Sequence, residues 1–263
     1  MGNPESQRVV ITGISRGIGR ATALAFARQG ARVAGLHRNK NPRVTTDIEA
    51  AIRTAGGEPL IHVGNVSSTA DIDRLATTAA GKWGGIDTWV NNAAQLFVKP
   101  FLDTTDEEWD RILNSNFLGY VRGARAAARF MVPAQHGQII NVGSAVEVLP
   151  PTDMTVYVSA KGAISSLTRA LAVELGPSGV TVNTLAPGAT DTPLNDESWT
   201  EEVRETYRSR IPLHRIAGSD DIADAIVAFS SHSMRYVTGQ VIFVDGGLTL
   251  NGSVGHREVT TDL

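Results

Sequence analysis

The sequence contains no cysteine. Without thiols there is no disulfide framework, no thiolate nucleophile and no Cys-based zinc or iron–sulfur site, and a reducing cytoplasm is the expected compartment. Long apolar runs are missing too: Arg, Asn or Gly interrupts each hydrophobic stretch before the roughly 20 residues that a spanning helix needs. The opening segment, Met1 to Arg8, has no apolar core for a signal peptide. Gly2 with Ser6 matches the bare myristoylation pattern, but no polybasic patch supports a single acyl chain, so a mobile N-terminus is the expected reading. There is no charge excess: 24 basic and 27 acidic residues leave a net charge of -3, which gives no general attraction to nucleic acid or to an anionic membrane. The six histidines show no ligand spacing such as H-x-x-x-H, and no metal is expected.

What is present is an ordinary globular composition over 263 residues, 42% hydrophobic and 19% charged. Seven short β-branched runs read as strands: Val9 to Thr12, Arg32 to His37, Pro59 to Val63, Thr88 to Asn91, Gln138 to Val142, Val180 to Leu185 and Val241 to Val244. Helical periodicity fills the intervals, as in Trp109, Ile112, Leu113, Asn116, Phe117 and Tyr120. Strand and helix in alternation predict an α/β fold, a parallel sheet with helices on both faces. No linker or repeat divides the chain, so one domain over 1–263 is expected, with a variable tail from about 251. The stretch 188–218 is the longest insertion between strands and could form a lid over a site.

Directly after the first strand stands Thr12-Gly13-Ile14-Ser15-Arg16-Gly17-Ile18-Gly19, followed by a helical run. Glycines here permit a tight turn and close approach of backbone to a pyrophosphate, and the helix N-terminus adds amide donors and a positive dipole end. The spacing differs from G-x-G-x-x-G, so the generic dinucleotide fingerprint is not what is matched. A glycine-rich turn without a ligand is the plain alternative. Further on, Tyr157 and Lys161 are four residues apart at the start of a helical run, hence on one face. A neighbouring ammonium favours the phenolate and would suit the phenol to acid–base work near neutral pH. Ser144, just past the fifth strand, could join them. Only four of the 24 basic residues are lysines, and Lys161 is the one set among small and apolar neighbours.

In order along the chain, the Gly13/Gly17/Gly19 loop, Asn91-Asn92-Ala93, Asn116, Ser144, Tyr157-x-x-x-Lys161, Pro187-Gly188 and Asp245-Gly246-Gly247 resemble the short-chain dehydrogenase/reductase family from about Arg8 to Leu248. The resemblance implies a Rossmann-like domain with a seven-stranded parallel sheet, and hydride transfer between NAD(P) and an alcohol or carbonyl. It makes Tyr157 the general acid/base, Ser144 the donor to the substrate oxygen, Lys161 the group that binds the nicotinamide ribose and lowers the tyrosine pKa, and Asn116 the holder of a proton-relaying water. Asn91 would steady the central strand. Cofactor contacts would come from Gly13, Ser15, Arg16, Gly17, Ile18 and Gly19, from His37 and Arg38, from Asn65, Val66, Asn92 and Ala93, from Tyr157 and Lys161, and from Pro187, Gly188, Thr190 and Thr192.

Three positions depart from the family pattern. Ala94 replaces a glycine, Asn65 replaces an aspartate near the adenine, and Glu147 stands where a small residue is usual. None of these is expected to touch the catalytic four. NADPH is expected over NADH because the second strand ends in His37-Arg38 with no acid to meet a ribose diol, and Arg16 projects from the glycine loop. The substrate pocket is expected from Gln95, Leu96, Val146, Glu147, Val148, Leu149, Met154, Leu194 and Trp199, a mostly apolar set suited to an uncharged small carbonyl or alcohol. Glu147 would accept hydrogen bonds from substrate hydroxyls, or face solvent. The small-residue helix Gly123 to Ala128 and the apolar face after Lys161 are expected to pack between subunits of a homotetramer or homodimer. Arg122, Arg125 and Arg129 are read as a solvated or subunit-facing helix side. The rivals to an oxidoreductase are an epimerase or dehydratase that retains its cofactor, and a non-catalytic NADP-binding regulatory protein. Neither rival fits the sequence as well: the glycine spacing and short C-terminus oppose the first, and the intact catalytic four the second.

Overall fold

β-branched residues pack well when both faces of a strand are covered, and the short runs of this chain form strands of that kind. The computed structural model describes residues 6–195 and 199–251; the pattern at Gly2 and all of the expected tail except Asn251 lie outside them. In chain order the elements are β1 (Arg8–Thr12), α1 (Gly17–Arg28), β2 (Arg32–His37), α2 (Pro42–Thr54), β3 (Glu58–Val63), α3 (Thr69–Trp83), β4 (Thr88–Asn91), α4 (Asp106–Asn116), α5 (Leu118–Ala134), β5 (Gly137–Val142), α6 (Thr155–Leu175), β6 (Val180–Pro187), β7 (Thr190–Asp191), α7 (Glu201–Arg210), β8 (Ala217–Gly218), α8 (Ser219–Phe229) and β9 (Val241–Val244).

Seven strands form one parallel sheet, as the sequence pattern predicts, and their order is β3-β2-β1-β4-β5-β6-β9. Successive residues of a strand point to opposite faces, so Val10 packs with Leu75, Ala124 and Met131 of α3 and α5. Val9 and Ile11 pack with Phe26, Ile48, Ile52 and Ile226 of α1, α2 and α8 on the other face. The strands before β4 are laid down to one side of β1 and those after it to the other. This reversal opens a crevice beyond the carboxyl ends of β1 and β4, where α/β sheets bind ligands. The pairing β7–β8 forms a separate two-stranded ribbon inside the expected lid, and its strands of two residues are too short to show in a sequence pattern.

A line of polar side chains runs through the otherwise apolar centre. Asn91 of β4 is level with Asn141 of β5, and Asn141 with Thr184 of β6. Trp89 Nε1 donates to Asn91 Oδ1 (2.8 Å), Asn91 Nδ2 to Asn141 Oδ1 (3.0 Å), and Asn141 Nδ2 to Thr168 Oγ1 on α6 (2.9 Å). Thr168 and Thr184 share a hydroxyl hydrogen bond of 2.7 Å. Asn91 therefore does steady the central strand, through its neighbours rather than alone.

Small residues of α5 serve this centre. Gly123, Ala124, Ala126 and Ala127 are all buried within the chain, and a Cβ on Gly123 would run into Asn91 Oδ1 and lie 2.6 Å from Trp89 Nε1. Gly123→Ala should accordingly lower stability by about 1–3 kcal/mol, the usual cost of overpacking. A Tm unchanged by this substitution in thermal unfolding would show that the helix can move away from β4 freely.

Candidate active site

The crevice at the switch point is a cleft of 630 Å³. Its walls come from the ends of β1, β4, β5 and β6, from α6, and from the 188–218 insertion. The structure gathers there Gly13, Ser15, Arg16, Gly17, Ile18, His37, Arg38, Asn65, Val66, Asn92, Ala93, Ser144, Tyr157, Lys161, Pro187, Gly188, Thr190 and Thr192, together with Gln95, Leu96, Val146, Leu149, Met154, Leu194 and Trp199. Four expected residues stand back from the cleft wall: Gly19, Asn116, Glu147 and Val148.

Each has a physical reason. Gly19 supports the loop from behind, because a Cβ there would press on the Gly13 carbonyl and lie 2.5 Å from Asn92 Nδ2. Asn116 is fully buried, and both ends of its amide are used. Its Nδ2 donates to the Gln95 carbonyl (2.7 Å), and its Oδ1 accepts from Gln95 N–H (2.9 Å) and from the Ser115 hydroxyl (2.9 Å). The side chain thus clamps the chain that leaves β4 at Gln95. Glu147 closes a one-turn helix, 145–147, after Ser144. Its carboxylate faces α6 and accepts from the Ser165 hydroxyl at 2.6 Å; it neither meets the cleft nor faces open solvent. Val148 is exposed.

Lys161 is 2% exposed, an unusual place for an ammonium. Its Nζ donates to the Val142 carbonyl at 2.8 Å and to the Tyr120 hydroxyl at 3.3 Å, and Tyr120 in turn donates to Val142 O at 2.9 Å. Nζ lies 5.2 Å from the Tyr120 ring centre and 5.6 Å from that of Tyr157, within reach of cation–π attraction. Burial disfavours the charged form and pulls the Lys161 pKa down to about 7, opposed by the Glu147 carboxylate. The same burial pushes Tyr157 up to about 12, and a hydrogen bond with Ser144 pulls the other way. A lowered tyrosine was expected; here burial is the larger influence on Tyr157, and Ser144 is the group that acts against it.

The 188–218 insertion contributes aromatic cover. Trp199 and Tyr207 meet with ring centres 4.9 Å apart, and Val203 also lines the cleft. Sequence reading placed Trp199 and Tyr207 in this insertion but missed Val203, although its spacing of four residues from Tyr207 marks one helix face. Tyr120 was missed as a partner of Lys161, and nothing local signals it, since α5 meets α6 only in the fold. Of the expected arginine side, Arg122 donates to the Asn114 carbonyl (3.0 Å) and side chain (2.7 Å), and Arg129 pairs with Asp73.

The profile of a family described as enoyl-(acyl carrier protein) reductase matches residues 13–249. The 3β-hydroxysteroid dehydrogenase 1 of Eggerthella lenta is 35% identical over 248 residues, which covers 94% of this chain and 95% of that protein. The chain belongs to the short-chain dehydrogenase/reductase family. A glucose 1-dehydrogenase of Gluconobacter oxydans is 36% identical over 250 residues, 94% of this chain and 93% of that one. The crystal structure of levodione reductase superposes with a TM-score of 0.87 at 29% identity, covering 93% of this chain and 98% of that one. As a short-chain dehydrogenase/reductase the protein is an oxidoreductase of the nicotinamide-dependent kind. Among the described residues no helix is long and apolar enough to cross a membrane.

The glycine loop has the shape such a cofactor needs. Gly13 and Gly17 have φ of +74° and +55°, which L side chains rarely adopt, and a Cβ on Gly13 would come within 2.9 Å of Ala93 Cα. Beside the cleft, His37 Nδ1 is a buried polar atom without a protein partner, the kind of group that a ribose hydroxyl would satisfy. The residues fit the family's dinucleotide.

A stability prediction follows from the sign of the Lys161 shift. Between about pH 7 and 10.5 the unfolded chain binds the proton that the folded one has released, so wild-type stability rises with pH through that window. The full penalty of the buried ammonium is present below pH 7. Lys161→Met should therefore be most favourable relative to wild type at or below pH 7, and should lose about 1.4 kcal/mol of that advantage per pH unit up to about pH 10. The lost hydrogen bonds add an offset that does not vary with pH. Chemical denaturation of both proteins at pH 6, 8 and 9.5 measures the slope, and parallel curves would refute the assignment.

Proposed function

We propose that this enzyme interconverts a carbonyl and a secondary alcohol on an uncharged small molecule, with NADPH preferred over NADH and Tyr157 as general acid/base. The observation that carries this reading is the cluster of Ser144, Tyr157 and Lys161 on one wall of the cleft, with the Tyr157 hydroxyl hydrogen-bonded to Ser144. Bound in the cleft, a nicotinamide cofactor would supply hydride chemistry at the carbonyl carbon. Ser144 donates a hydrogen bond to the substrate oxygen and so orients the carbonyl. Tyr157 gives its hydroxyl proton to that oxygen, and its burial keeps the proton in place until the oxygen becomes basic. Lys161, fixed by Val142 and Tyr120, stabilises the negative charge left on the phenol and reaches the ribose. Asn116 acts by clamping the Gln95 turn.

The rest of the cleft favours the same substrates and cofactor. Among the described residues its charged lining side chains are Arg16, Arg38 and Lys161, with no Asp or Glu. Arg16 and Arg38 are exposed and form no ion pair among the described residues, so both are available for a 2′-phosphate, to which a guanidinium fork is suited. His37 is held neutral by burial and bonded to Thr45 through Nε2 at 3.0 Å, so it offers a hydrogen bond rather than charge. The opposite half of the cleft, with Leu96, Val146, Leu149, Met154, Leu194 and Trp199, suits an apolar or ring-shaped carbonyl compound rather than an anionic thioester. The activity is assigned to one catalytic domain in a reducing cytoplasm. Because edge strand β9 is only half-buried, a homotetramer or homodimer that covers this edge is the proposed assembly.

Tyr157→Phe should lower turnover by about two to four orders of magnitude while cofactor affinity and Tm stay near wild type. Retention of a tenth or more of the turnover in a chemistry-limited assay would remove Tyr157 from the role. For the cofactor, two charge-assisted contacts support a kcat/KM preference for NADPH on the order of a hundredfold, and Arg38→Asp should move the enzyme toward NADH. Equal values for the two cofactors in the wild type would sink the NADPH assignment. A screen of uncharged ketones, quinones and keto sugars beside acyl thioesters tests the substrate class.

A further inference from the structure

Ser144 and the pair Tyr157/Lys161 belong to different elements, and the active site needs them in one place. The one-turn helix 145–147 begins with Ser144 Oγ accepting from Val146 N–H and closes with Glu147 N–H donating to the Ser144 carbonyl at 3.2 Å. On α6, Lys161, Ser165 and Arg169 recur at every fourth residue and so share a face. The Glu147 carboxylate lies against that face, half-buried, and accepts the Ser165 hydroxyl at 2.6 Å. We propose that Glu147 is a positioning residue for the hydride-transfer site: it ties the Ser144 turn to the helix that carries Tyr157 and Lys161, and sets a negative charge on the helix face that Lys161 and Ser165 share.

The proposal rests on the reading of Tyr157 and Lys161 given above. The charged and titratable groups that face Lys161 are Tyr157 on its own helix, Tyr120 from α5 and Glu147 from the turn. Those that face Glu147 are Lys161 and Arg169. Glu147 is thus the acid that opposes the effect of burial on Lys161. Burial also raises the Glu147 pKa, with the Ser165 hydrogen bond and the two cations acting to keep the carboxylate ionised. Removal of the negative charge would make the Lys161 ammonium harder to keep, so Lys161 would titrate at lower pH. A residue that only propped up the turn would change turnover without moving that titration.

The test is the pH dependence of kcat/KM for wild type, E147Q, E147A and E147D, each with a reducible ketone and NADPH. E147Q keeps the shape and an oxygen to accept from Ser165 but removes the charge; E147A removes both, at a half-buried position that accommodates the smaller side chain. The expected result is a profile displaced to lower pH by about one unit in E147Q and E147A, with E147D returning toward wild type and E147A also losing turnover at its optimum. Wild-type profiles in both uncharged variants would overturn the proposal, as would a profile in E147D displaced as far as in E147Q. Failure of the underlying reading shows separately. If Tyr157→Phe and Lys161→Met remain active, the assignment of the pair is wrong; if they are inactive and E147Q and E147A titrate like wild type, only the role of Glu147 is.

Discussion

The line of hydrogen bonds from Trp89 through Asn91, Asn141 and Thr168 to Thr184 crosses three neighbouring strands and one helix where the sheet is otherwise apolar. A buried amide or hydroxyl without a partner costs on the order of 1–3 kcal/mol, so a slip of β4, β5, β6 or α6 against the others would leave several such groups unpaired at once. Apolar packing alone tolerates small rearrangements, whereas this line admits one arrangement. The catalytic groups inherit that precision. Ser144 stands two residues beyond the end of β5 and three beyond Asn141, and Lys161 stands two turns before Thr168 on α6. Each is therefore placed by a polar contact nearby rather than by the loop that joins them. Gly123 belongs to the same constraint, since it lets α5 approach the Trp89–Asn91 bond closely.

Burial sets the chemistry and its cost together. The wall that holds Tyr157 and Lys161 excludes water, which pushes the phenol up to about 12 and the ammonium down to about 7. Both shifts favour the neutral pair. A site that must pass a proton and stabilise the charge left behind therefore needs fixed partners: the Val142 carbonyl and the Tyr120 hydroxyl take the place of water around the ammonium. Preorganised groups of this kind do not have to reorient as charge develops. The destabilising ammonium is a local cost of activity, and the surrounding sheet is rigid enough to carry it.

The parallel sheet was legible in the sequence because strand and helix differ in hydrophobic period, and each buried strand here is a short β-branched run with a glycine or polar boundary. The cofactor wall was legible for a related reason: the Gly13 loop and the residues after β2, β4 and β6 all lie at strand ends, so their position along the chain nearly determines their place in space. What sequence could not show is direction. Glu147 is one residue from Val146, which lines the cleft, yet its side chain turns to α6 because Ser165 and Lys161 are there to meet it. Asn116 was read as the holder of a water, and its side-chain bonds to Gln95, 21 residues distant, were not foreseen. Nor was the packing of Gly123 against Trp89 and Asn91, because small residues record a close approach without saying to what. In each case the missing information was a partner from another element.

Those misreadings also separate the two kinds of residue that build the site. Groups that touch substrate or cofactor are constrained by an external molecule, which is why a resemblance in motif order could carry them from one member of the family to another. Groups that hold the site together are constrained by the chain itself, and different neighbours can meet that requirement. Glu147, at a position where small residues are usual, and Ser165 opposite it form such a local solution. A small residue in place of Glu147 would leave Lys161 to its neutral partners and to any charge that other elements could supply. The substitution of one loop residue can thus adjust the proton chemistry of the site without altering a group that contacts substrate.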